Sequence, residues 1–91
     1  MMKRFWFEFK FDNMFTIPPG LSLGCGVTAL NLDDARNIIK DKIFHGSEIP
    51  EIKTQIENID VSTLDPGHIL PNMLPPDKRG VWFPIGLSDS Y

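Results

Sequence analysis

Cys25 lies between Gly24 and Gly26 in the stretch LGCGVTAL and is the single cysteine of the chain. A thiolate nucleophile needs an adjacent base or a positive microenvironment. The two histidines, His45 and His68, are remote in sequence, and no spacing pairs either with Cys25. A small buried core residue is the better account of Cys25, because free cysteine is among the most buried residue types. His68 follows Asp65 in LDPGHILP, and an aspartate can orient an imidazole as a general base. Local sequence sets no serine or cysteine beside that pair. A small enzyme or ligand-binding protein with a pocket around His68 and Asp65 is therefore the alternative reading, and the residues lean away from catalysis. His45 precedes Gly46 where a helix should end, and an imidazole there complements the helix dipole. None of the close ligand pairs of a zinc site is present. GLSLGCG lacks the lysine of a phosphate loop. No metal and no cofactor is expected.

The remaining candidates are recognition residues. Trp6 lies in RFWFEFKF on the parity opposite four phenylalanines, Trp82 lies in VWFP, and Asp34 and Asp41 lie in the polar half of the stretch NLDDARNIIKDK. Aromatic residues anchor many interfaces, and an acidic helix face steers a basic partner. The chain carries a net charge of −3 with a pI near 5.2. That balance disfavours nucleic acid and anionic membrane. The strand KRFWFEF has the texture of a single-strand RNA binder, but its phenylalanines share the parity that a core needs, leaving Trp6 alone to stack.

The elements that must position these side chains follow from periodicity. Phe5, Phe7, Phe9 and Phe11 at period two make a strand with one buried face. DNMFTIPPGLS carries turn chemistry and reads as a long connection. A second strand is expected over LGCGVTAL, with Leu23, Cys25, Val27 and Ala29 facing the core and Gly24, Gly26 and Thr28 leaving bare backbone on the other side. The helix is the best-marked element. Asn31 is its N-cap, Asp34 completes a capping box, Leu30 and Ala35 form a staple, Leu32, Ala35, Ile38, Ile39 and Ile43 share one side, and Gly46 ends it. EIKTQIENIDVSTL alternates and then changes parity near Glu57 and Asn58, which predicts a third strand with a bulge. From Asp65, DPGHILPNMLPPDKRG is a proline-rich excursion. VWFPIG predicts a short last strand, placed at an edge by Pro84.

These elements make one domain over residues 1–91. The expected fold class is α+β: a two-layer sandwich with a mostly antiparallel sheet of about four strands, one helix in β-β-α-β-β order, and a long proline-rich loop before the last strand. One helix of about 13 residues covers one face of such a sheet. The other face, with Trp6 on it, is closed either by the excursion through Ile69, Leu70, Met73 and Leu74, or by a partner. The functional expectation is a small soluble, non-catalytic protein-interaction module, of the kind an inhibitor or immunity-type protein that binds a basic partner would be. A homodimer through a sheet face or an edge strand is compatible with it. No run of apolar residues follows the basic start, so a leader peptide is not expected, and no stretch approaches the roughly 18 to 20 apolar residues of a membrane span. One cysteine in so small a chain favours a reducing, cytoplasmic setting.

Overall fold

The computed structural model describes residues 2–10 and 21–84. The expected connection around Pro18 and Pro19, and the contributions of Phe11 and Ile85 to strands, lie outside the described residues. Four strands form one sheet, β1 (Lys3–Lys10), β2 (Cys25–Ala29), β3 (Glu51–Glu57) and β4 (Gly80–Phe83), in the order β3-β1-β2-β4. Every pairing is antiparallel. The helix α1 (Leu32–Lys42) packs on one face of this α+β fold, chiefly over β2 and β4.

The helix begins where its caps dictate. The Asn31 side chain accepts a hydrogen bond from the Asp34 N–H at 2.8 Å, and Asp34 in turn accepts from the Leu30 N–H at 3.0 Å. This is a capping box displaced by one residue: it satisfies the Asp34 N–H, which the first turn leaves without a helical partner, and the N–H of Leu30 just before the cap. Leu30 is exposed, so the expected staple to Ala35 does not form. At the other end the Gly46 N–H reaches the Lys40 carbonyl at 2.8 Å, with Gly46 at φ 88° and His45 at φ 53°. The left-handed exit favours glycine, as the sequence predicts. Buried Ala35, Ile38, Ile39 and Ile43 face the sheet and meet Phe5, Phe7, Phe9, Cys25, Val27, Ala29 and Val81 in a first core.

The opposite face holds a second core of Trp6, Ile59, Leu64, Ile69, Leu74, Trp82 and Phe83. The chain after β3 builds it, folding back as an irregular strap between Asn58 and Arg79 that contains two 3₁₀ turns, Val61–Thr63 and Leu70–Asn72. The sandwich is thus helix, sheet and strap.

Two bulges and one turn differ from the sequence expectation. In β3 the register on β1 passes from Thr54 opposite Glu8 to Ile52 opposite Phe9, so Lys53 is the extra residue. The bulge sits there and not at Glu57 and Asn58, where β3 ends and Asn58 takes φ 58°. In β4 the register on β2 passes from Phe83 opposite Gly26 to Val81 opposite Val27, leaving Trp82 over. That extra residue lets Trp82 and Phe83 enter the same core, against strict alternation. Leu23 is not a core residue of β2. It ends a 3₁₀ turn, Leu21–Leu23, and is exposed, while Leu21 takes the buried place.

Candidate functional site

Trp6 and Trp82, the expected anchors for a partner, are 2 % and 1 % exposed and lie inside the second core. Their ring centroids are 6.0 Å apart, and Trp6 also packs on Phe83 at 5.6 Å. Small residues in β2 and immediately before it explain how two indoles fit between sheet and strap. A Cβ on Gly26 would lie 2.4 Å from atoms of the Trp82 ring, and one on Gly24 would lie 2.3 Å from the Trp6 ring. Each glycine is the seat of an indole. Thr28, the third residue on that side of β2, donates from its hydroxyl to the Pro76 carbonyl at 2.6 Å and pins the end of the strap. The Leu74 N–H donates to the Trp82 carbonyl at 2.8 Å, so the strap also bonds to β4. Neither indole is presented to a partner in this arrangement.

His68 and Asp65 do meet, with Nδ1 of His68 2.8 Å from a carboxylate oxygen of Asp65, and both are exposed. The same carboxylate accepts from the Gly67 N–H at 2.8 Å, and the Asn72 side chain donates to the His68 carbonyl. The Gly67 amide first, and then His68, hold the Asp65 carboxyl below the usual carboxylate range. The pair thus organises the turn that delivers Ile69 to the second core. Cys25 lies in the first core on the other side of the sheet, wholly buried, and burial pushes its thiol well above the usual range. The structure does not bring Cys25 and His68 together. Among the described residues no group of three or more histidine, cysteine or carboxylate side chains is arranged to hold a metal ion.

The two acidic candidates of the helix differ. Asp34 is half-buried and clasped by Arg79, whose Nε donates to it at 2.9 Å while Nη2 donates to its second oxygen. The Arg79 guanidinium, with the Leu30 N–H, lowers the Asp34 pKa to about 2. It is a strut between α1 and the end of the strap. Asp41 is exposed, with the Lys42 ammonium 3.7 Å away. A groove of about 530 Å³ runs beside the helix, lined by Arg36, Asn37, Lys40, Glu48 and Ile49. Its walls are charged, unlike the mostly apolar lining of a small-molecule site.

What remains on offer is the outer strand of the sheet. Among the described residues β3 pairs only with β1, and Glu51, Lys53, Gln55, Ile56 and Glu57 are all exposed. β4, the strand at the other edge, is buried throughout and bonded by Leu74 of the strap. An unpaired strand edge carries a row of N–H and C=O groups that can template another strand. No aromatic or catalytic motif marks β3, so reading side chains one by one passes over it. The signal lies in EIKTQIE itself, where alternation is clear while polar residues, three of them charged, fill one parity.

No protein-family model, curated protein or solved structure matches this chain. Among the described residues no helix is long and apolar enough to cross a membrane.

Proposed function

We propose that this chain is a small non-catalytic protein-interaction module whose recognition element is the outer edge of β3. The observation that carries the reading is the contrast between the two sheet edges: β4 is covered by the chain's own strap, and among the described residues β3 has no partner on its outer side, with Glu51, Lys53, Gln55, Ile56 and Glu57 exposed. Over β1, β2 and β4 both sheet faces are filled by the chain itself, so β3 and its outer edge are what the sheet has left for recognition, and strand addition is the mode that uses such an edge. A basic partner, such as an inhibitor or immunity-type protein would block, draws support from the net charge of −3 and from exposed Asp33 and Asp41. Asp34 adds nothing to that support because Arg79 occupies it.

A photo-crosslinking residue placed at Gln55, with the same residue at Asn37 on the helix as control, tests the proposal. Discrete adducts are expected at Gln55 and not at Asn37, and they should disappear with Ile56→Lys, since a lysine on an edge blunts strand pairing. Adducts that form from Asn37 and not from Gln55, or adducts at Gln55 that are indifferent to Ile56→Lys, would overturn it.

A further inference from the structure

We infer that the strand added to β3 comes from a second copy of this chain, paired antiparallel about a two-fold axis through Gln55. This rests on the reading of β3 as a recognition edge and names its occupant.

Charge around the edge comes first. The carboxylates Glu8, Glu48, Glu51, Glu57 and Asp60 stand against four cations, Lys53 on the same strand and Lys3, Arg4 and Lys10 of neighbouring β1. Lys3 lies 3.3 Å from Glu57 and Lys10 lies 3.9 Å from Glu51. The edge is therefore nearly balanced, with one carboxylate in excess. It steers neither a strongly basic nor a strongly acidic chain, and Lys53 in its middle discourages an arbitrary apolar strand. A partner that places a carboxylate opposite Lys53 turns that obstacle into a contact.

Parity then limits the registers. Directly opposed residues of antiparallel strands project on the same side of the sheet, so a two-fold axis must pass through a residue. An axis through Lys53 sets two lysines against each other, and one through Thr54 sets Glu51 against Glu57. An axis through Ile52 places the bulge at the centre and brings in Pro50, which has no N–H to donate. An axis through Ile56 carries Asn58, at φ 58°, into the ladder. An axis through Gln55 uses Lys53 to Glu57, sets Lys53 opposite Glu57 of the second copy twice, and sets Thr54 opposite Ile56 twice. The exposed Ile56 is covered, and no like charges oppose each other. The product is one continuous antiparallel sheet, with each copy's strap remaining over its own tryptophan face.

Five residues from each copy make a small interface, below the ~1,200 Å² of a stable complex, so dissociation in the micromolar range is expected. The experiment is light-scattering mass from about 5 to about 500 µM, a range that brackets such affinities, with amide exchange of β3 followed over the same series. The wild-type mass should rise from 10.4 kDa toward twice that value, and exchange of the β3 amides should slow several-fold. Lys53→Glu and Glu57→Lys should each remain monomeric, since each sets like charges opposite each other at both ends of the ladder. An equimolar mixture of the two variants should regain the dimer mass, because every opposed pair is then complementary. That rescue separates register from a folding defect.

A wild type that stays monomeric while its β3 amides exchange freely overturns the second copy and leaves the edge open to another partner. A monomer whose outward β3 amides are protected at every concentration overturns both the second copy and the recognition edge. Dimerisation of Lys53→Glu at wild-type strength overturns the register.

Discussion

The two faces of the sheet are closed by different means. On the phenylalanine side a capped helix, with its backbone satisfied internally, lays four apolar residues over Phe5, Phe7, Phe9 and Cys25. On the tryptophan side an irregular strap with little regular backbone pairing is held by a few tethers: the Ile59 N–H to the Arg4 carbonyl, the Leu74 N–H to the Trp82 carbonyl, and the Thr28 hydroxyl to Pro76. The first face depends on area and regular hydrogen bonding. The second depends on shape, because two indoles occupy space that only glycine leaves free.

The largest expected effect therefore comes from removing that space. Gly26→Val drives a branched side chain into the plane of Trp82, and neither the ring nor the β2 backbone can withdraw without opening the strap. A loss of about 3 kcal/mol or more is expected, a large share of a small domain's stability. Gly46→Ala is the control. Nothing lies within 4 Å of its Cβ position, so only the strain of φ 88° applies, and a loss of about 1 kcal/mol is expected. Urea denaturation of both variants checks the contrast; similar losses would mean that the indole seat is not tight.

Next comes the difference in opening. Segments with few backbone bonds detach below the free energy of global unfolding. The Leu74 amide should exchange through strap opening at a cost about 2 kcal/mol below that of Val27 at the centre of β2, roughly a thirtyfold difference in protection. Cys25, wholly buried beside Val27 with its thiol pKa raised, should label with thiol reagents only at the rate of the slower process. Equal protection of Leu74 and Val27 would show that strap and sheet form one cooperative unit.

These asymmetries also decide how much was legible in the sequence. Period-two phenylalanines and a helix with both caps are local signals, and the phenylalanine side can be read from them nearly complete. Gly24, Gly26 and Thr28 on one parity, opposite Trp6, point to close approach of another segment, and the proline-rich excursion is one of the two coverings the sequence offers. The bulges at Lys53 and Trp82 could not be read, because each is a compromise between two strands and leaves no mark in either one alone. Trp82 and Phe83 consequently share a core against the alternation of VWFP. The Asp34–Arg79 clasp was equally hidden. It joins residues far apart in sequence, and an aspartate in the first turn of a helix already has a sufficient local reason in the cap.

Two tethers give effects of about 1 kcal/mol. Thr28→Val keeps shape and removes the bond to the Pro76 carbonyl, with an expected loss of about 1 to 2 kcal/mol and faster exchange at Leu74 but not at Val27. The clasp shows itself through pH. The folded-state pKa of Asp34 is lowered from 3.8 to about 2 by Arg79. Its contribution is therefore complete above the ordinary carboxylate range and is lost as pH falls through 3.8 toward 2. With Arg79 half exposed, screening holds the contribution to about 1 kcal/mol. Denaturation of wild type and Asp34→Asn between pH 5 and pH 2 should converge at the acid end; curves that stay parallel would remove the clasp from the balance.

The smallest effect concerns the indole nitrogens. Nε1 of Trp6 donates to Glu8 at 3.3 Å, whereas Nε1 of Trp82 is buried and has no hydrogen-bond partner among the described residues. A buried donor left unpaired costs about 1 to 3 kcal/mol, and Trp82→Phe removes that cost together with part of the ring resting on Gly26. The two changes oppose each other, so Trp82→Phe should alter stability by less than about 1 kcal/mol. Trp6→Phe loses ring area and a hydrogen bond with nothing in return, and should be about 1 kcal/mol the more damaging of the two. Each variant leaves one tryptophan, whose fluorescence in the folded monomer should resist acrylamide because both indoles are buried. Free quenching of Trp6 in a folded monomer would mean that the strap does not close the second face in solution, and a tryptophan-lined surface would then rejoin β3 as a place for a partner to bind.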